Sequence, residues 1–232
     1  MLYKYLVPFF LVPLMCISQT QAAVTVGATR VVYKGAEKEA NLTLSNKGDD
    51  APFLVQSWVS RYGDDESKSV SDFIVTPPLF RLDTNEENIL RIIRIDDSAL
   101  PKNQESLFLL NVKAIPALSE SLATQNVLQI ALKTTIKLFY RPLTLKGEVK
   151  DAVQQLKWSQ SKGKLSVRND SGFNIVVDEV KINGLPMKSV PEVISPFCTM
   201  HLQTPAFNGD NLSLSYIDEY GSSNTAPSVV VH

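Results

Sequence analysis

Histidine and cysteine are nearly missing from this chain: His201, His232, Cys16 and Cys198 are the only examples in 232 residues. The side chains that most often act as nucleophiles, general bases and metal ligands are therefore scarce. Gly-x-Ser-x-Gly, His-x-x-x-His and Cys-x-x-Cys do not occur, and there is no glycine loop of the phosphate-binding kind. Hydrolase, zinc, dithiol and nucleotide-hydrolysing readings thus lose their usual constellations. Charge of one sign is missing too. With 23 basic against 24 acidic residues, the chain lacks the clustered cations that neutralise nucleic acid phosphates or anionic lipid. No cofactor, metal or nucleic acid is expected. What is present is ordinary for a globular protein, 44% hydrophobic and 20% charged, and a binding role is favoured over an enzyme.

Residues 1–23 read as a secretory signal. One basic residue, Lys4, precedes an apolar stretch from Leu6 to Ile17, and Ala22-Ala23 supply the small residues a signal peptidase accepts. Twelve apolar positions interrupted by Pro8 and Pro13 fall short of the roughly 20 needed to span a bilayer, so no membrane anchor is expected. Cleavage after Ala22 or Ala23 removes Cys16 and leaves Cys198 as a lone thiol. The exported protein must then fold without an internal disulfide, on packing alone. Cys198 and His201 are expected as a half-buried thiol and a surface histidine.

The remainder alternates apolar and polar residues in short runs: 31–33, 40–44, 53–58, 73–75, 89–95, 107–112 and 127–141. Turn chemistry separates them at Asn46-Lys47-Gly48-Asp49-Asp50, Tyr62-Gly63-Asp64-Asp65, Thr76-Pro77-Pro78 and Asp83-Thr84-Asn85. The texture resumes after Pro142 with 156–160, 164–168, 173–177, 180–182 and 212–216, and Asn183-Gly184 is a strong hairpin turn. No convincing helix is evident. These spacings predict an all-β chain of two units, 24–142 and 143–232, with the junction near Arg141-Pro142. The charged stretch 63–68 is expected to be a solvated loop, since it lacks the spaced oxygen ligands of a calcium site.

The run 127–141 holds fifteen residues without Gly or Pro, about three times an ordinary strand. Period-2 alternation places Leu128, Ile130 and Leu132 on one face and Lys137 on the other. A strand that outruns its sheet exposes unpaired backbone and bulky aliphatics, which invites another chain to pair with it.

Several stretches, in order along the chain, resemble the periplasmic pilus-assembly chaperones. They are Gly27-Ala28-Thr29-Arg30-Val31-Val32-Tyr33, Gln56-Ser57-Trp58-Val59, Phe73-Ile74-Val75-Thr76-Pro77-Pro78-Leu79, Asn88-Ile89-Leu90-Arg91-Ile92, the long segment from Leu100 to Pro116, Leu128–Leu132 and Ile136–Pro142. The resemblance implies two immunoglobulin-like sandwiches set as an L or boomerang, with a cleft between them. It implies further that pilus subunits are bound one to one, capped by donor-strand complementation, and passed to an outer-membrane usher. On this resemblance Leu128, Ile130 and Leu132 are the donor residues. Arg30 and Lys137 bind the terminal carboxylate of the subunit. Glu105, Arg141 and Glu219 form an interdomain ion network, with Asp218 the other candidate acid. An idle copy would be able to cap itself by pairing with a second.

Because Lys137 lies opposite the donor face, a bulge, a twist or the domain junction is expected between them. Leu109 stands where relatives commonly carry an aromatic residue, an exchange expected to alter core packing without touching the cleft. The loop 117–125 is short, as in the branch serving rod-like pili. A second reading, an exported all-β fibre subunit or adhesin, shares the composition. Such a chain would carry its donor extension at the mature N terminus, whereas the long strand here is internal.

Overall fold

The computed structural model describes residues 24–48, 51–95, 100–117, 128–161 and 163–231. The expected signal segment, Val127, most of the 117–125 loop and His232 lie outside the described residues. Nine strands build the first unit: β1 (Val24–Val26), β2 (Arg30–Lys34), β3 (Glu39–Asn46), β4 (Phe53–Arg61), β5 (Phe73–Thr76), β6 (Leu79–Leu82), β7 (Glu87–Arg94), β8 (Ser106–Pro116) and β9 (Leu132–Arg141). They form two sheets, ordered β1-β3-β7-β5 and β2-β9-β8-β4-β6. All pairings are antiparallel except β2 with β9. The inward residues of both sheets make one core, in which Leu44, Val55, Leu82, Leu90, Ile92, Phe108, Leu110 and Leu138 are fully buried. Phe73 joins the halves edge-on, its ring 4.9 Å from Phe108 and 5.8 Å from Tyr33, offset geometries that aromatic quadrupoles favour.

The second unit opens with a helix, α1 (Val149–Gln154). Val149, Ala152 and Val153 are its buried positions, and their i, i+3, i+4 spacing is right for one face. Two turns are too few for that period to stand out from the surrounding alternation, so the sequence showed no helix here. Then follow β10 (Lys157–Ser161), β11 (Lys164–Arg168), β12 (Ile175–Ile182), β13 (Leu185–Pro186), β14 (Val193–Ile194), β15 (Thr199–Pro205), β16 (Asn211–Ile217), β17 (Ser223–Thr225) and β18 (Val229–Val230). One sheet is β10-β11-β15; the other is β13-β12-β16-β17, with β14 paired to β12 and β18 to β16. The run 173–177, from Ile175 onward, and the run 180–182 belong to the single strand β12, whose register against β16 slips between Val177 and Glu179. That bulge breaks the alternation at Asp178-Glu179. The hairpin turn has Asn183 and Gly184 both at positive φ, 51° and 82°, as a two-residue primed turn requires. Cys198 is a free thiol but is exposed, not half-buried; it lies just ahead of β15, after the turn at Pro196-Phe197.

The two sandwiches abut along an apolar seam. Phe139, Val32, Leu107 and Tyr62 of the first pack with Val176, Val193 and Ile217 of the second. The turn after β16 closes one side of this seam. Its Gly221 sits at φ +91°, and a Cβ there would lie 2.3 Å from Thr29 Oγ1. Gly221→Ala is therefore expected to lose about 2 kcal/mol or more, combining left-handed strain with a steric clash. Urea denaturation measures this loss. Adding Thr29→Gly should restore the clash part only, and full stability in Gly221→Ala alone would refute the contact.

Candidate functional site

β9 carries the site because its two faces serve different partners. Ile136, Leu138 and Tyr140 point into the first core, so alternation turns Lys133, Thr135, Lys137, Phe139 and Arg141 outward. The β8–β9 ladder runs from Ser106↔Tyr140 to Ala114↔Leu132 with no shift of register. Of the bulge, twist or domain junction expected between the donor residues and Lys137, the bulge is thus missing from Leu132 to Lys137. No device is needed, because the aliphatic donor face continues the core face while the cations belong to the outward face.

The outward face meets the second domain at its lower end and opens above it. Phe139 forms the floor of the seam, and one rung higher lies Lys137 with Arg30 beside it on β2, the two being direct partners in the parallel ladder. Leu109 is paired across β8 with Lys137. It is buried, as expected of a packing residue, but on the outward face of the sheet, so that it sits next to the cation and not away from the cleft. Arg30 Nη1 donates to the backbone carbonyl of Ile217 at 3.4 Å. Burial pulls its pKa down and Asp218 offsets this. Lys137 Nζ donates to Glu192 of the second domain, and Tyr62 hydroxyl donates to the other oxygen of that carboxylate at 3.0 Å.

At the foot of β9, Arg141 Nε donates to Glu105 Oε1 at 2.9 Å and Arg141 Nη1 to Glu219 Oε1 at 2.7 Å. Glu105 is only 3% exposed, and its second oxygen accepts from the backbone N–H of Asn174 at 2.9 Å. Burial pushes the Glu105 carboxyl above its usual range; Arg141 and the Asn174 N–H pull it back. Asp218 does something else with its side chain. Oδ1 accepts from the N–H groups of Tyr220 and Ser222 and Oδ2 from Asn224, which shapes the turn that presents Glu219. Arg141 also lies over the Phe173 ring at 5.0 Å. The network therefore ties the start of β8 and the end of β9 in the first sandwich to one end of the β12–β16 pair in the second, where Asn174 precedes β12 and Glu219 follows β16.

Above the cations the chain leaves the sheet. β9 begins only at Leu132, and Leu128, Ile130 and Leu132 are 87%, 62% and 62% exposed. Residues 128–131 belong to no strand, and among the described residues their one hydrogen-bonded tie is that of the Gln129 side chain to the Pro116 carbonyl. The loop 63–68 is also less detached than expected: Trp58 Nε1 donates to the Glu66 carbonyl at 2.7 Å, and Lys133 pairs with the Glu66 carboxylate.

Sequence reasoning missed Glu192, Tyr62 and Asn174. A lone Glu between Pro191 and Val193 and a Tyr before Gly63 carry no local signature, and only the docking of the two sandwiches gives them a neighbour across the cleft.

The family description "Pili and flagellar-assembly chaperone, PapD N-terminal domain" matches residues 23–146, and "Pili assembly chaperone PapD, C-terminal domain" matches residues 151–228. The probable fimbrial chaperone LpfB of Escherichia coli O157:H7 is 41% identical over 210 residues, spanning 89% of this chain and 88% of that protein. The chaperone protein FimC of Escherichia coli strain K12 is 34% identical over 211 residues, spanning 90% and 85%. Among solved structures, the Salmonella enterica SafA pilin in complex with the SafB chaperone gives a TM-score of 0.78 at 32% identity, covering 92% of this chain and 98% of that one. The Escherichia coli chaperone DraB gives 0.74 at 34% identity, covering 90% and 95%. Two domain models matched in the order of the two sandwiches, and relatives that align over most of both chains, show one thing: the chain belongs to the pilus-assembly chaperone family.

Proposed function

We propose that this chain is a periplasmic chaperone that binds and caps pilus subunits one to one, lends each a strand, and delivers it to an outer-membrane usher. The observation that carries this is the 128–132 segment, three exposed aliphatic side chains on a backbone that leaves the sheet just above two adjacent cations. Strand addition of this kind, chaperone to pilin, is an established recognition mode: main-chain hydrogen bonds supply affinity and alternate side chains supply specificity. Burying Leu128, Ile130 and Leu132 in a subunit groove contributes on the order of 5–9 kcal/mol before association costs.

Hydrophobic contact is non-directional and leaves the register of the added strand open. Arg30 and Lys137 fix it by holding the terminal carboxylate of the subunit through charge-assisted hydrogen bonds. Glu105, Arg141 and Glu219 hold the two domains in the orientation that keeps this anchor open. In the absence of a subunit, the same exposed edge lets two copies cap one another. The test is co-expression with pilus subunits of the same cell envelope. A 1:1 complex on size exclusion is expected, and a subunit that stays soluble and monomeric without the chaperone would overturn the proposal. Arg30→Ala and Lys137→Ala should each weaken capture about tenfold or more, the scale of a lost charged hydrogen bond. Equal capture of a subunit with an amidated C terminus would show that no carboxylate is held there.

A further inference from the structure

The ammonium group that a subunit tail would use already holds a carboxylate. Glu192 lies on the segment leading into β14, reaches across the cleft and accepts from Lys137 Nζ through Oε1 and from Tyr62 hydroxyl through Oε2. Its backbone is fixed, because its carbonyl accepts from Val177 N–H at 3.0 Å and the next residue, Val193, is buried in the seam. The side chain of Lys137 is 19% exposed, whereas that of Glu192 is 59% exposed, so the carboxylate can swing into solvent while the ammonium stays where it is. Tyr62 remains a hydrogen donor, since burial beside Glu192 pushes its hydroxyl up to about 12. Lys137 holds the Glu192 carboxyl below its usual range. Arg30 is treated differently. It donates to a backbone carbonyl, and Asp218, the acid that offsets its burial, has both carboxylate oxygens engaged within its own turn.

We propose that Glu192 is an internal stand-in for the C-terminal carboxylate of the subunit: it occupies Lys137 in the idle chaperone, yields to the arriving tail, and returns as the tail departs. This rests on the anchor assigned above to Arg30 and Lys137. An ammonium has three N–H donors, so tail and Glu192 can share Lys137 during the exchange, and the cation is never left without a partner. Two carboxylates on one cation repel, so Glu192 keeps the affinity for the tail below what the cations alone would reach. That is useful to a carrier that must surrender its cargo without nucleotide. Tyr62 grips the same carboxylate and sets how readily Glu192 returns.

The test uses a synthetic peptide of alternating apolar and polar residues with a free C-terminal carboxylate, beside its amidated counterpart. Both are titrated into the purified wild-type protein and into Glu192→Gln and Tyr62→Phe. Glu192→Gln should bind the carboxylate peptide about five- to tenfold more tightly, the scale of a partly exposed ion pair, and leave the amidated peptide unchanged. Tyr62→Phe should move affinity the same way by less. The Glu192 carboxyl carbon resonance in the wild type should shift when the carboxylate peptide is added and stay still with the amide. If Glu192→Gln binds the carboxylate peptide equally or more weakly while the wild type still prefers carboxylate to amide, the stand-in is refuted and the anchor stands. If the wild type does not distinguish the two peptides, the anchor fails and this inference falls with it.

Discussion

Ile130→Glu is expected to abolish recovery of chaperone–subunit complexes while leaving the melting temperature of the chaperone unchanged. The side chain is 62% exposed and lies ahead of β9, where it contributes nothing to either core. In a subunit groove the exchange removes about 1.5–3 kcal/mol of apolar burial and adds the cost of desolvating an unpaired carboxylate. The sum exceeds 3 kcal/mol, more than a hundredfold in affinity. Ile130→Val, which keeps an apolar branched chain, should retain most binding. Co-purification measures both, and recovery of Ile130→Glu complexes at wild-type yield would refute the donor assignment.

Arg141→Ala should be the most damaging single change to the fold itself. It strands Glu105, a nearly fully buried carboxylate whose other partner is the Asn174 N–H across the domain boundary. Breaking one side of such a pair typically costs 3–5 kcal/mol. The sign of its pH dependence follows from Glu105. Burial already raises this carboxyl, and Arg141 is the larger of the two influences pulling it back. Without Arg141 the folded-state pKa rises further above that of the unfolded chain. A raised carboxyl favours the folded state only when it is protonated, so stability is kept below the unfolded value and lost as pH climbs through the folded one. The deficit of Arg141→Ala relative to wild type should accordingly be largest near neutral pH and shrink on acidification. Glu105→Gln, which removes the charge and keeps an acceptor, should be milder. Urea denaturation across pH provides the comparison, and a deficit that does not vary with pH would rule out a stranded carboxylate as its cause.

The strand positions were legible in the sequence wherever one face was buried and the other wet, because a period of two survives any detail of packing. Runs such as 40–44, 107–112 and 212–216 therefore lie inside β3, β8 and β16. Legibility failed where that period was interrupted or short. Helix α1 has two turns, β12 hides a bulge, and β13, β14 and β18 are two residues each. Leu109, set against the aromatic residue that relatives carry, was expected to alter core packing away from the cleft; it is buried, but not on the core face. It faces outward instead, as the alternation with buried Phe108 and Leu110 requires.

What the chain alone determined is local and periodic: two β units, turns at Asn and Gly, and a run of aliphatics too long for one sheet. The family motifs in it further single out Arg30 and Lys137. That those two cations become neighbours was decided by a parallel β2–β9 pairing between segments a hundred residues apart, a long-range choice that no local pattern encodes. Glu192, Tyr62 and Glu219 acquire meaning only once the seam closes. Their partners lie on the other sandwich, and a carboxylate or a hydroxyl has the same alternation, propensity and polarity whether it faces a cation across a cleft or bulk water.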